Sequence, residues 1–168
     1  LIRSLKQIVP ESSFAEEKIG LIREETAGQA RLMIRAGDLE AARTLVQQLD
    51  TYSPDYSELG ALTESLKSQE AAVAEVNTTV AKAEAALASG HYIVPFNESA
   101  FSLSNRVLKL APNHQRAQSV RRDSVARALV EAKGWTADGK YDEARQVYLA
   151  VSQILGTHKD LLVSAREI

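Results

Sequence analysis

One punctuation mark recurs three times in this chain. A glycine is followed two residues on by leucine or an aromatic residue, then by an alanine five positions on, and a helix stop falls twelve residues beyond that alanine. The residues are Gly37, Leu39 and Ala42 with Pro54; Gly90, Tyr92 and, after five extra residues, Ala100 with Pro112; and Gly139, Tyr141 and Ala144 with Gly156. The glycines lie 53 and 49 residues apart (37 to 90 to 139), and Pro10 precedes Gly37 by the same 27 residues that separate Pro112 from Gly139. Internal self-similarity at such a period belongs to helical hairpins that cannot bury their apolar faces alone and stack on their neighbours.

Composition supports an all-α reading. Of 168 residues only 4 are proline and 8 glycine, and aromatic residues make up 5%, which favours helices over sheets. A hydrophobic share of 45% suffices for a folded core. The formal net charge of −2 gives no general basic field for nucleic acid. With no cysteine, disulfides, thiol catalysis and Cys-ligated zinc are excluded, and no apolar run reaches the ~18 to 20 residues of a membrane span. The first residue is Leu and not Met, so the expectation is a piece of a longer protein.

Ile2, Leu5 and Ile8 predict a short helix over Leu1 to Val9, stopped at Pro10. Ser13 and Glu16 have capping-box spacing for a helix running to about Ala36 and burying Ile19, Ile22, Ala30 and Met33. Leu39, Ala42, Leu45, Leu49 and Tyr52 form the stripe of a return helix. From Tyr56 to Ser89, Leu59, Leu62, Leu66, Gln69, Val73, Val76, Val80, Ala83 and Leu87 alternate by three and four residues. That seam fits a helix of up to ~50 Å. It either packs inside the stack or pairs with a second chain, with Gln69 fixing register, and a break near Gln69 would make two helices. Beyond Gly90, Asn97 is placed to cap the next helix, whose face carries Ala100, Leu103, Val107, Leu108 and Leu110. Val120, Val125, Ala128, Ala132 and Trp135 mark another helix, and Ala144, Val147, Tyr148, Val151 and Ile154 the last return helix. Leu161 to Ile168 is expected to open one more.

The segments Val107-Leu108-Lys109-Leu110-Ala111-Pro112-Asn113 and Gly139-Lys140-Tyr141-Asp142-Glu143-Ala144 resemble the second-helix ending and central turn of tetratricopeptide repeats. Ala30, Ala83 and Ala132, each seven residues before its glycine, fall where that family places a small residue, and Ala42, Ala100 and Ala144 fall at its second small position. The likeness covers about two thirds of the chain. The units exceed the family's 34-residue length, one turn is lengthened by five residues, and most first-helix aromatic positions are lost. The outline is also similar to divergent repeats of large bacterial envelope and signalling proteins, which leans the localisation toward the bacterial envelope over the cytoplasm.

The resemblance implies a right-handed α-α superhelix of tetratricopeptide-like hairpins, some with lengthened helices, whose first helices line a groove for a peptide or protein. By position, the groove residues are Glu24, Arg31 and Arg35, then Asn77 and Glu84, then Lys133. Basic side chains there would grip carboxylates, and Asn77 would bond a peptide backbone as donor and acceptor. The competing account is that these are solvated helix faces. The family's basic clamp for a C-terminal carboxylate needs two asparagines, and only Asn77 is in place.

Other chemistry is sparse. His91, His114 and His158 never fall in metal-ligand spacing, and the shared repeat position of His114 and His158 points to helix-start or turn geometry. No Gly-x-Ser-x-Gly or phosphate-binding Gly-x-x-x-x-Gly-Lys occurs. Arg116, Arg121, Arg122 and Arg127 share one helix with Asp123 and Glu131, so ion pairing is expected over nucleic-acid contact. The reading is one repeat domain over 1–168: a partial unit at 1–10, units at about 11–54, 55–112 and 113–156, and a further helix from 157–168. Its expected role is a non-catalytic interaction scaffold without cofactor or metal. Its partner would be a protein or peptide, with neither nucleic acid nor direct membrane insertion. The alternative is a structural spacer or homodimerisation element using the Leu59–Leu87 seam.

Overall fold

The computed structural model describes residues 13–158. Within them the chain is all helical: α1 (Ser13–Ala36), α2 (Leu39–Tyr52), α3 (Leu59–Ala88), α4 (Ala100–Leu110), α5 (Gln115–Ala137) and α6 (Tyr141–Thr157), with no strand among the described residues. The helices expected over Leu1 to Val9 and Leu161 to Ile168, and the Ser13 side chain, lie outside the described residues. The chain forms two compact units, Leu1–Val73 and Ala74–Ile168.

The three marked glycines are the residues that turn the chain. Gly37 and Gly90 have φ of 80° and Gly139 of 78°, and no other described residue has positive φ. Each ends a helix in the same way. The residue after the glycine donates its N–H to the carbonyl five residues back: Asp38 to Met33 at 3.0 Å, His91 to Ala86 at 2.9 Å and Lys140 to Trp135 at 2.8 Å. The glycine N–H reaches the carbonyl three back, at 3.2, 3.4 and 3.2 Å. This is the Schellman closure, whose left-handed residue carries no Cβ penalty only when it is glycine. The six flanking alanines, Ala30, Ala42, Ala83, Ala100, Ala132 and Ala144, are all buried. At such positions a larger side chain would force the packed elements apart.

The far ends of α2 and α4 are matched as well. The N–H of Ser53 bonds the Leu49 carbonyl and that of Ala111 the Val107 carbonyl, both at 2.8 Å. A turn follows in each case, with the Tyr56 N–H on the Ser53 carbonyl at 3.0 Å and the His114 N–H on the Ala111 carbonyl at 3.1 Å. Proline at the second position and Asp55 or Asn113 at the third suit that turn. Gly156, read as the third stop, instead lies within α6, which runs one residue further to Thr157 and is capped at His158. Lacking a proline there, the helix meets no steric block at Gly156 itself. A second correction concerns α4: Ser99, not Asn97, is its N-cap, and its hydroxyl accepts from the Ser102 N–H at 3.2 Å.

In the amino-terminal unit, Ala27, Ala30 and Ile34 of α1 meet Ala42, Val46 and Leu49 of α2 and Leu59, Leu62 and Leu66 of α3. In the carboxy-terminal unit, Val80 and Ala83 of α3 pack with Ala100 and Val107 of α4 and Ala117 and Val120 of α5. A larger cluster joins Ile93 and Phe101 to Val125, Ala128 and Ala132 of α5 and Ala144, Val147, Val151 and Ile154 of α6. Helix α3 is a single unbroken element of 30 residues. Its seam is buried near both ends within the two units' own cores, whereas Gln69 is exposed and Val73 is 48% exposed.

Candidate partner-binding sites

The groove residues read from the sequence fall into two sets, one in each compact unit. In the amino-terminal unit, Arg31 and Arg35 sit one helical turn apart on α1 and border a cavity of about 250 Å³. Ile34, Ala61 and Leu62 supply its apolar wall, and Glu58 and Ser65 its remaining polar groups. Arg31 is ion-paired with Glu58. Arg35 makes no ion pair or side-chain hydrogen bond among the described residues. Glu24 lies nearly two turns earlier and accepts a hydrogen bond from the Tyr56 hydroxyl at 3.1 Å. The Arg23 guanidinium stands 5.9 Å from the centre of the Tyr56 ring. Burial, and then the Glu24 carboxylate, push the Tyr56 phenol above its ordinary value. Two of the three expected residues therefore hold the turn that leads into α3, and of the three Arg35 alone has no such partner among the described residues.

In the carboxy-terminal unit, Asn77 is exposed on α3 and Lys133 is exposed on α5. Glu84 is engaged in a two-point contact: the Arg116 Nε donates to Oε1 at 2.9 Å and Nη2 to Oε2 at 2.6 Å. These hydrogen bonds hold the Glu84 carboxyl below its ordinary range. His114 caps α5, its Nδ1 accepting from the Ala117 N–H at 3.3 Å, and His158 closes α6 edge-on to Phe101 at 5.7 Å. Among the described residues, no three or more His, Cys, Asp or Glu side chains are grouped so as to hold a metal ion. None of the described helices is long and apolar enough to cross a membrane.

Arg31, Glu84 and Lys133 each precede their turn glycine by six residues, whereas Glu58 and Arg116 each follow their helix-stop proline by four. The Arg31–Glu58 and Glu84–Arg116 pairs are thus equivalent in the repeat, with the charges reversed. Sequence reading found one partner of each pair as a groove residue and overlooked Glu58. The signal was available: 27 residues separate Arg31 from Glu58, and 32 separate Glu84 from Arg116, the difference being the five-residue insertion. Comparison with protein-family models, curated proteins and solved structures returns no match.

Proposed function

We propose that the chain is a tetratricopeptide-like repeat module that binds a protein or peptide partner through its first-helix faces and carries out no catalysis of its own. In this reading the hairpins form a right-handed superhelix, and Glu24, Arg31, Arg35, Asn77, Glu84 and Lys133 lie along its groove. Arg35 is the observation that carries it. Its equivalents two residues before the other turn glycines are Ala88 and Ala137, so nothing in the repeat calls for a cation there. It borders a cavity with an apolar wall, where a guanidinium can hold a carboxylate by two parallel hydrogen bonds beside a buried aliphatic side chain. A preformed site of this kind lowers the ordering cost of a flexible ligand.

Selection of displayed peptides on the wild-type protein, counter-selected on Arg35→Glu, tests this. Acidic peptides that bind wild type and lose at least about tenfold on Arg35→Glu are expected. Failure to enrich any peptide on wild type over the variant sinks the proposal. Arg31→Glu is the poorer probe, because it also sets two carboxylates against each other at Glu58.

Exposed Val73 leaves one foothold for the dimerisation alternative. Light scattering over a concentration series decides it. A dimer that Val73→Asp abolishes without unfolding would establish the seam as an interface, and a monomer throughout would remove it.

A further inference from the structure

The turn after α3 departs from the other two by the insertion between Tyr92 and Ala100, which adjoins a cavity of about 690 Å³ in the carboxy-terminal unit. Insertions in repeat proteins fall on one face, which is often the one that binds. Here the insertion brings Phe96 to the cavity, where the ring is 59% exposed, beside Phe101 and Leu108. With Phe101 and Leu108 it gives the cavity a continuous apolar side, which a single exposed aromatic residue would not. The charged lining is entirely basic. Arg106, Lys109 and Arg121 contribute, with His158 at the end of α6, and no carboxylate occurs among the described residues that line it. Arg106 shares its charge with Glu75 of α3 at 2.5 Å, and Lys109 is exposed on the last turn of α4. The cations on this lining contrast with the chain's net charge of −2.

We infer that this cavity is a second recognition site, separate from the Arg35 cavity, for an acidic peptide segment that carries an apolar anchor. The anchor enters between Phe96, Phe101 and Leu108, and flanking carboxylates meet Lys109. The volume suits one or two large side chains. Both features are needed: charge alone at an open rim is screened by salt, and an apolar wall alone does not choose a sign.

Fluorescence anisotropy with a labelled octapeptide of alternating glutamate and leucine tests the inference. A glutamate–serine peptide and a lysine–leucine peptide serve as controls. Saturable binding of the glutamate–leucine peptide alone is expected, with a loss of about tenfold or more in both Phe96→Ser and Lys109→Glu. Each variant changes an exposed side chain, and circular dichroism checks its fold. Equal binding of the glutamate–serine peptide would reduce the site to unspecific charge and overturn the inference. So would no binding at all, or binding that survives both variants and disappears in Arg35→Glu, which assigns the peptide to the first cavity.

Discussion

The two units solve one packing problem with opposite choices of side chain. Five, eight and twelve residues beyond the helix-stop proline, the amino-terminal unit places Leu59, Leu62 and Leu66, and the carboxy-terminal unit places Ala117, Val120 and Ser124. All six are buried. The leucines share a cluster with the small Ala27 and Ala30, whereas Ala117 clusters with the bulkier Val80 and Val107. Ser124 is tolerated because its hydroxyl donates to the Val120 carbonyl at 2.6 Å, which satisfies that buried polar group. The repeat therefore fixes where contact occurs and leaves size and polarity to be matched across it. The reversed ion pairs teach the same lesson about charge. A basic residue in the register of Arg31 or Lys133 is not thereby a ligand-binding residue, since Glu84 at that position serves the contact between α3 and α5.

The largest effect should come from removing bulk in one unit and adding it in the other. Leu62→Ala leaves a cavity and should cost ~2–5 kcal/mol. Ala117→Leu overfills the matching position and should cost ~1–3 kcal/mol. Urea unfolding gives the totals, and hydrogen exchange shows which unit loses protection. If Ala117→Leu is neutral, the carboxy-terminal unit is not closely packed at this contact, and the comparison fails.

A smaller effect separates glycines that turn the chain from those that do not. Gly90→Ala places a Cβ on a residue with φ of 80° and should destabilise by ~1 kcal/mol. Gly28 lies in mid-helix with open space where a Cβ would stand, so Gly28→Ala should stabilise by ~0.5–1 kcal/mol. Thermal melts of both variants read the difference in sign. Equal destabilisation would mean that the packing around Gly28 and not backbone freedom governs its place.

These contrasts show what was legible in the sequence. A left-handed turn residue is a local demand that only glycine meets cheaply, so Gly37, Gly90 and Gly139 could be found without knowing any contact. The small residues Ala30, Ala83 and Ala132 were legible through the tetratricopeptide resemblance, which places a small side chain seven residues before the turn glycine. Gly156 misled because glycine at a helix end is a stop only if the chain turns there. Asn97 misled because the helix begins only at Ala100, which puts its cap two residues beyond the insertion, at Ser99. The site was less readable. Whether Arg31 faces a ligand or Glu58 depends on which side chain the turn before α3 presents 27 residues away, and only the register of the repeat, not a local pattern, carries that. The insertion itself was visible, but the cavity beside it is assembled from α4, α5 and the end of α6.

The next contrast is between the two ion pairs. Arg31→Glu should destabilise, and the reversed double variant Arg31→Glu/Glu58→Arg should recover most of the loss, because the equivalent contact in the other unit already works with that polarity. The coupling expected of so exposed a pair is ~0.5 kcal/mol, measured by a double-mutant cycle in urea. No recovery would show that the local surroundings, and not the pair alone, select the sign.

The smallest effect is one of pH, and it belongs to the carboxy-terminal unit. Hydrogen bonds from Arg116 lower the Glu84 carboxyl from its ordinary value of 4.5. A carboxyl lowered on folding binds its proton more readily in the unfolded chain, so the contact stabilises fully above that ordinary value. The stabilisation then drains away as pH falls through the lower value of the folded state. Glu84→Gln should therefore be less stable than wild type at pH 7, and the gap should close as pH falls below the ordinary value of 4.5. Urea midpoints of the two proteins across that range provide the check. Because Glu84 remains partly exposed, added salt should narrow the gap at pH 7 as well. A gap independent of both pH and salt would mean that the Glu84→Gln substitution disturbs packing, not charge, and that the two-point contact is incidental to the packing of α3 with α5.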